Sequence, residues 1–153
     1  MARVQDLPES TRSSVTTVAC PQFDTHPFVT GPALSARRIA LISSAALIKR
    51  GDPPFPFGST EYRTVPAGRP TADILMSHVS INFDRAGFQR DINTVHPVDR
   101  LRELAEAGVI GGVADTNYTI MGSSDPDGMA ESADQIAGQL RQERIDSILL
   151  SPV

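Results

Sequence analysis

The stretch Arg38–Ile48, with the sequence RIALISSAALI, is the feature that most limits the folds open to this chain. Its apolar residues run on without the alternation of a half-exposed strand, which is typical of a strand buried on both faces. The run is interrupted at Ser43 and Ser44, and it is far shorter than the roughly 20 residues of a membrane span. We therefore predict a central strand over 38–48 in a parallel sheet.

Helix-start signals and further apolar runs place the other elements. Pro97 opens a helix predicted over 97–107, because proline suits the first helical position, and Asp125 caps a second helix over 126–143. The remaining strands are predicted at 73–79, 109–114 and 145–150, with a short strand at 62–65. This order predicts a three-layer α/β fold with a mostly parallel sheet.

Two regions of different character are expected along the chain. Residues 1–37 show no hydrophobic period and are broken by prolines and glycine, so we predict an irregular N-terminal arm. Residues 38–153 hold the predicted strands and form the α/β domain. The last strand ends where such a domain normally continues into a helix. We therefore expect a truncated sheet, with apolar surface uncovered near Ile148 and Leu150.

Charge and cysteine content argue against several classes of protein. The formal net charge is −4, whereas a nucleic-acid binder needs a basic surface. The single cysteine, Cys20, excludes an internal disulfide framework and a cysteine-cluster metal site. Residues 1–14 lack the apolar core of a secretion signal. These observations predict a cytoplasmic protein that binds neither nucleic acid nor membrane.

A polar segment after the predicted strand 73–79 holds most of the candidate chemistry. Its titratable and amide side chains include His78, Asp84, Arg85, Asp91, Asn93 and His96. Carboxylates and imidazoles together can act as acid and base or bind a metal, but the spacing matches no metal motif, so we predict no metal. Asp91 and Asn93 can equally be residues that cap turns.

His78 is the preferred acid–base candidate, because it lies among apolar residues near the end of a predicted strand. A buried imidazole satisfied by the backbone is the alternative for this residue. His96 ranks lower, since Pro97 ties it to helix initiation. Cys20 has neither a positive neighbour nor a helix N-terminus to favour its thiolate, so it is not expected to be a nucleophile.

Four segments carry a family pattern: RIALISSAALIKRGDPPF, HVSINFDRAGFQRDINTVHPVDRLREL, GVIGGVADTNYTIMG and IDSILLSPV. Together they resemble the selenoprotein B family of glycine/sarcosine/betaine/D-proline reductases, most closely its short, D-proline-reductase-like members. The D-x-N-x-V-x-P-x-D-R-L run of the second segment is the most specific part. The resemblance covers about residues 31–153.

The resemblance implies an oxidoreductase of amino-acid catabolism that reductively cleaves a C–N bond in an amino acid or amine. Its nucleophile is a selenocysteine or cysteine, and in the family a segment similar to IDSILLSPV runs directly into that residue. This sequence ends at Val153, one position earlier. We therefore expect the chain to carry no cofactor and to be inactive by itself. A UGA codon read as a stop and a fragment both fit this ending.

The resemblance also implies partners. These are a companion reductase subunit, a thiol or thioredoxin-type reductant, and a small amine or amino-acid substrate, and an oligomer is compatible with them. A different class of function stays open beside this one: a non-catalytic α/β module that binds a small ligand or assembles with a partner.

In a parallel sheet, the loops at the carboxyl ends of neighbouring strands are expected to meet at one edge, here around the position of the nucleophile. We expect His78 or Tyr118 to deliver a proton to the leaving amine. The residues expected to bind the substrate are Asp84, Asp91, Asn93 and Asp115. Tyr118 and Asp115 are assigned to the loop after strand 109–114, and loop packing is the alternative for Tyr118.

Overall fold

The structure is a computed structural model that describes residues 3–17, 22, 24–68, 70–80 and 85–153. Cys20 and Asp84, both considered above, lie outside the described residues. The strands are β1 (Arg38–Ser43), β2 (Leu47–Lys49), β3 (Tyr62–Pro66), β4 (Ile74–Met76), β5 (Gly112–Val113), β6 (Thr116–Ile120) and β7 (Ser147–Ser151). The α-helices are α1 (Glu9–Thr16), α2 (Ala86–Arg90), α3 (Val98–Glu106) and α4 (Ala130–Gln142). Short 3-10 turns lie at Val4–Asp6, Leu34–Ala36, Thr71–Asp73, Ile92–Thr94 and Pro126–Met129.

The main sheet is built around β1, which pairs in parallel with β5, β6 and β7. β5 pairs with the start of β1 and β6 with its end, so both lie along one edge of β1 and β7 lies along the other. β3 adds to β6 in antiparallel orientation. The result is a five-stranded, mostly parallel sheet, as predicted.

Helices cover both faces of this sheet. Successive side chains of a strand point to opposite faces, so the continuous apolar run of β1 gives both faces apolar side chains that the helices bury. On one face, Ile39 and Leu41 pack against Val98 and Leu101 of α3. On the other face, Ala40 and Tyr118 pack against Ile136 and Leu140 of α4. The predicted three-layer α/β fold is therefore confirmed.

The run predicted as one strand over 38–48 is in fact two strands. Ala46 has a positive φ of 51°, which ends the extended chain and turns it out of the main sheet. β2 then pairs with β4 in an antiparallel, two-stranded sheet of their own. The prediction that 73–79 is a strand of the parallel sheet is therefore wrong, because Ile74–Met76 belongs to this second sheet.

The other differences concern element limits and one missed strand. The strand predicted over 109–114 is only Gly112–Val113, because the amides of Val109 and Ile110 still donate to the Leu104 carbonyl at the end of α3, at 2.9 and 3.4 Å. The segment that follows was assigned to a loop and is β6. The two predicted long helices are present as α3 and as the 3-10 turn Pro126–Met129 continued by α4.

The described part of the region before residue 37 contains α1 and two short 3-10 turns, and residues 24–33 have no helix or strand. The division into an arm and an α/β domain stays a prediction. The expected apolar exposure near Ile148 and Leu150 is observed, and both side chains are exposed.

Candidate functional site

Ser44 joins the ends of three parallel strands through its backbone and its hydroxyl. Its amide donates to the Ser151 carbonyl at the end of β7 (3.1 Å), and its carbonyl accepts from the Gly122 amide just after β6 (3.0 Å). Its Oγ accepts from the Val153 amide at 2.8 Å. Gly122 fits because it has no side chain: a Cβ there would lie 2.9 Å from the Ser44 carbonyl oxygen and hydroxyl. The carboxyl ends of β1, β6 and β7 therefore meet at one residue.

Ser43 and Ser151 connect the same end of the sheet to the turn before α3 by hydrogen bonds. The hydroxyls of Ser43 and Ser151 both donate to the Val95 carbonyl, at 2.6 and 3.0 Å. Ser43 Oγ also accepts from the Ala45 amide at 3.3 Å. Because Ser43 is fully buried, these bonds satisfy a hydroxyl that would otherwise destabilise the fold. We call Ser43, Ser44, Gly122 and Ser151 the serine edge.

His78 lies at the same edge, on the segment that follows β4. The Ser77 amide next to it donates to the carbonyl of Ala46, two residues after Ser44 (2.9 Å). Val79, on its other side, packs against a cluster that contains Ala46 and Met121. The structure therefore brings His78 to the end of the sheet where Val153 also lies.

The surroundings of His78 favour a neutral ring of defined tautomer. Nδ1 accepts from the Ser80 amide at 3.1 Å, which assigns the proton of the neutral ring to Nε2. Burial, assisted by the positive charge of Arg85, lowers the pKa of His78 below its usual value. Arg85 also donates to the carbonyls of His78 and Ser80, both at 2.6 Å, and so holds this turn in place. His78 is buried and its Nε2 is enclosed in the fold, and in this tautomer Nε2 is a hydrogen-bond donor.

His96 is the more deeply buried histidine and has a different environment. Its ring is fully enclosed, and neither nitrogen has a hydrogen-bond partner among the described residues. Burial lowers the pKa of His96 to about 4, against a smaller opposing effect of Asp99. The ring is therefore neutral near pH 7.

Asp91 and Asn93 form a capping network before α3. Asp91 Oδ1 accepts from the backbone and side-chain amides of Asn93, at 2.9 and 2.8 Å, and these bonds lower the pKa of Asp91. Asn93 also donates to Asp99 Oδ2 (3.1 Å) and accepts from the Asp99 amide (3.1 Å). Their side chains thus make the contacts expected of turn caps, the alternative that the sequence left open. A role in substrate binding stays a prediction.

Asp115 lies at the opposite end of the sheet from Val153. Its exposed carboxylate is 3.7 Å from the guanidinium of Arg38, the first residue of β1. Ser44, which contacts Val153, comes six residues after Arg38, or about 20 Å along an extended strand. The structure therefore places Asp115 away from His78, and its role in substrate binding stays a prediction.

Tyr118 lies within β6 and not in a loop. It pairs with Ile42, and its fully buried ring lies on the sheet face covered by α4. Its hydroxyl donates to Gln139 Oε1 at 3.2 Å, and burial raises its pKa. Both the loop assignment and the alternative of loop packing are wrong for this residue, and its contacts are those of the core.

The serine edge was not among the predicted site residues. One signal was available: Ser43 and Ser44 interrupt the most apolar run of the chain, and Ser151 ends the last apolar strand. Their hydrogen-bond partners are remote in sequence, so the pattern alone could not show that they meet.

Two further searches of the described ranges were negative. They contain no group of three or more His, Cys, Asp or Glu side chains placed to hold a metal ion. None of the helices in these ranges has the length and apolar character needed to cross a membrane.

Comparison with known proteins shows which family the sequence matches. The model of the family described as glycine/sarcosine/betaine reductase selenoprotein B matches residues 15–152. The D-proline reductase subunit gamma of Acetoanaerobium sticklandii is 30% identical over 116 residues, which are 74% of this chain and 47% of that protein. The glycine reductase complex component B subunit gamma of Symbiobacterium thermophilum is 29% identical over 123 residues, 77% of this chain and 29% of that protein. The chain thus spans about half the length of the first relative and under a third of the second. No solved structure matches.

Proposed function

Because this chain belongs to the glycine/sarcosine/betaine reductase selenoprotein B family, we propose that it forms part of the active site of a reductase-complex component. The observation that carries the proposal is the meeting of three strand ends at Ser44, with His78 on the same edge. In open α/β sheets, ligands bind at the carboxyl ends of the strands. The relatives' names make them subunits of a D-proline reductase and of a glycine reductase complex.

The proposed reaction is the reductive cleavage of a C–N bond in an amino acid or amine. A thiol or thioredoxin-type donor supplies two electrons and is oxidised to a disulfide. The C–N bond breaks, the carbon gains hydrogen in place of nitrogen, and the nitrogen leaves as an amine. The selenolate or thiolate that attacks the substrate is expected, from the family resemblance, directly after Val153. A cytoplasmic location and a companion subunit belong to the same proposal.

Within this reaction the chain has two tasks. Ser44 fixes the backbone at Val153 through its hydroxyl, which sets where a following residue enters the site. A neutral ring that gave up its only N–H proton would become an imidazolate, so His78 is assigned a hydrogen bond and not a proton transfer. Its Nε2–H donates to the leaving nitrogen once this enclosed atom is exposed to the substrate, while the Ser80 amide occupies Nδ1 and the lowered pKa keeps the ring neutral near pH 7. The protons that the carbon and the nitrogen gain come from the two thiols of the donor.

The experiment begins with the DNA that follows codon 153. A UGA or cysteine codon in frame, followed by Pro-x-Cys, supports the reductase, and an ordinary terminator with no such sequence beyond it contradicts it. The 153-residue chain, given dithiothreitol and glycine, sarcosine, betaine or D-proline, is expected to form no product, because it lacks the attacking selenolate or thiolate.

The role of His78 is tested in the protein translated through that codon. His78→Gln should lower kcat by about 10–10²-fold, the loss expected when one hydrogen bond to a nitrogen that becomes charged is weakened or removed. His26→Gln, at an exposed position, is the control and should leave kcat unchanged. Full activity of the His78→Gln enzyme would contradict the assignment, and robust turnover by the 153-residue chain would contradict the proposed nucleophile.

A further inference from the structure

Ala46 lies where the main sheet passes into the second sheet, and its backbone is left-handed. Its φ of 51° is one of two positive values among the non-glycine residues that the structure describes, and the other is Arg144 at 54°. A left-handed backbone costs free energy for a residue that carries a Cβ, so it persists only where surrounding contacts hold it. The contacts of Ala46 therefore show what this conformation achieves.

Two consecutive amides at this bend bind the same strand. The Ala46 amide donates to the Ile120 carbonyl and the Leu47 amide to Thr119 Oγ1, both at 2.9 Å. In an extended strand, the amides of consecutive residues point to opposite sides. The left-handed bend at Ala46 lets both amides reach β6.

The carbonyl of Ala46 binds the segment that contains His78. It accepts from the Ser77 amide at 2.9 Å, directly after the pairing of β2 with β4. Ser77 is also bound through its hydroxyl, which accepts from the Phe55 amide at 2.8 Å. The residue before His78 is therefore fixed by two hydrogen bonds.

The methyl group of Ala46 belongs to the packing around the residue after His78. Ala46 is fully buried in a cluster with Phe55 and Met121, and Val79 packs against this cluster. A glycine would adopt the same φ without strain, but it would remove the methyl group from the cluster. Ala46 thus supports both neighbours of His78, one through its carbonyl and one through its side chain.

We propose that Ala46 is a positioning residue for His78: its left-handed backbone and its methyl group together hold residues 77–79 at the serine edge. A strained alanine is kept where glycine would be relaxed, because the methyl group restricts the bend to one geometry. The inference rests on the proposed function for the task of His78, whereas the placement of His78 by Ala46 is measurable without turnover.

The first test follows the His78 ring by NMR in this chain. In Ala46→Gly the pKa of His78 should rise toward 6.5, and its two tautomers should interconvert, because burial and the Ser80 amide hold the ring less firmly. Val79→Ala should act in the same direction, since it weakens the packing on the other side of His78 and keeps the bend. Arg144→Gly is the matched control: it relieves the same backbone strain at an exposed position after α4 and should leave the His78 signals unchanged.

Hydrogen exchange gives a second measurement on the same variants. The Ser77 amide should exchange at least about tenfold faster in Ala46→Gly than in the native chain, because its acceptor carbonyl is held less firmly. The Leu41 amide, which donates to Asn117 Oδ1 inside the main sheet, should exchange at the same rate in both. Equal acceleration of both amides would report a general loss of stability and would contradict the proposal.

Turnover then separates this inference from the proposed function. In the protein translated past codon 153, Ala46→Gly should lower kcat by about tenfold and leave KM within about twofold, because His78 is displaced while the rest of the site is intact. Unchanged His78 signals and unchanged Ser77 exchange would overturn the inference, and so would native turnover by Ala46→Gly in a protein that His78→Gln slows. Changed signals together with full activity of His78→Gln would support the positioning by Ala46 and overturn the proposed task of His78.

Discussion

β1 and β7 are neighbouring parallel strands of similar apolar character, yet they lie in opposite environments. Ala40 and Leu41 of β1 are fully buried between the layers of α3 and α4, whereas Ile148 and Leu150 of β7 face outward. The two strands are in register over five residue pairs, so strand geometry does not separate them. An apolar run therefore indicates a strand but does not show whether the chain itself covers it.

The largest difference is expected from truncating one leucine in each strand. Leu41→Ala should lower the free energy of unfolding by about 2–5 kcal/mol, because it leaves a cavity between packed layers. Leu150→Ala should cost less than about 1 kcal/mol in dilute solution, because that side chain is already in water. Urea unfolding of both variants measures the two values. Equal costs for both variants in dilute solution would show that β7 is covered within a single chain.

The elements that were predicted correctly are those with local signals. α3 follows from Pro97 and its apolar stripe, and α4 from Asp125, whose side chain accepts from the Asp127 amide as a cap does. β1 follows from its apolar run. The three-layer fold then follows from the order of strands and helices.

The elements that were missed depend on contacts between remote residues. β6 is rich in polar residues, and two of them are buried because they bond backbone amides of other strands. Asn117 Oδ1 accepts from the Leu41 amide and Thr119 Oγ1 from the Leu47 amide, both at 2.9 Å. Without knowledge of those partners, a polar segment indicates a loop. Tyr118 was misplaced for the same reason.

Residues of the candidate site likewise differ in whether a local sequence signal or only a remote contact identifies them. His78 could be selected from the sequence because an imidazole near the end of an apolar strand is chemically distinctive. Ser44 could not be selected from the sequence, because its importance comes from hydrogen bonds to residues 122, 151 and 153, which are remote in sequence. Asp115 was placed at the wrong end of the sheet because β5 is so short that Asp115 still lies near the start of β1.

The buried ring of His96 should make the free energy of unfolding depend on pH. Its pKa is about 4 in the folded chain and near 6.5 when unfolded, so the unfolded chain takes up a proton first as pH falls. The free energy of unfolding should therefore be unaffected by His96 above pH 6.5 and should fall between pH 6.5 and 4, by about 3 kcal/mol in total.

Unfolding by urea across this pH range, in the native chain and in His96→Gln, isolates the effect. The variant should lose this part of the pH dependence, whereas His26→Gln, at an exposed position, should retain it. Parallel curves for the native chain and His96→Gln would mean that the ring is protonated as easily in the fold as in water.

The smallest expected effect comes from the hydroxyl of Tyr118, on the face of the sheet that α4 covers. Gln139 accepts from this hydroxyl and donates to the Tyr62 hydroxyl at 2.7 Å, so its amide links two tyrosines whose rings are 5.9 Å apart. Tyr118→Phe removes one bond and leaves the ring packing in place, so the free energy of unfolding should fall by about 0.5–1.5 kcal/mol. Tyr62→Phe is the matched variant, since it removes the other bond of the same amide. If Tyr118→Phe leaves stability unchanged but abolishes turnover in the protein translated past codon 153, the hydroxyl serves the reaction and does not stabilise the core.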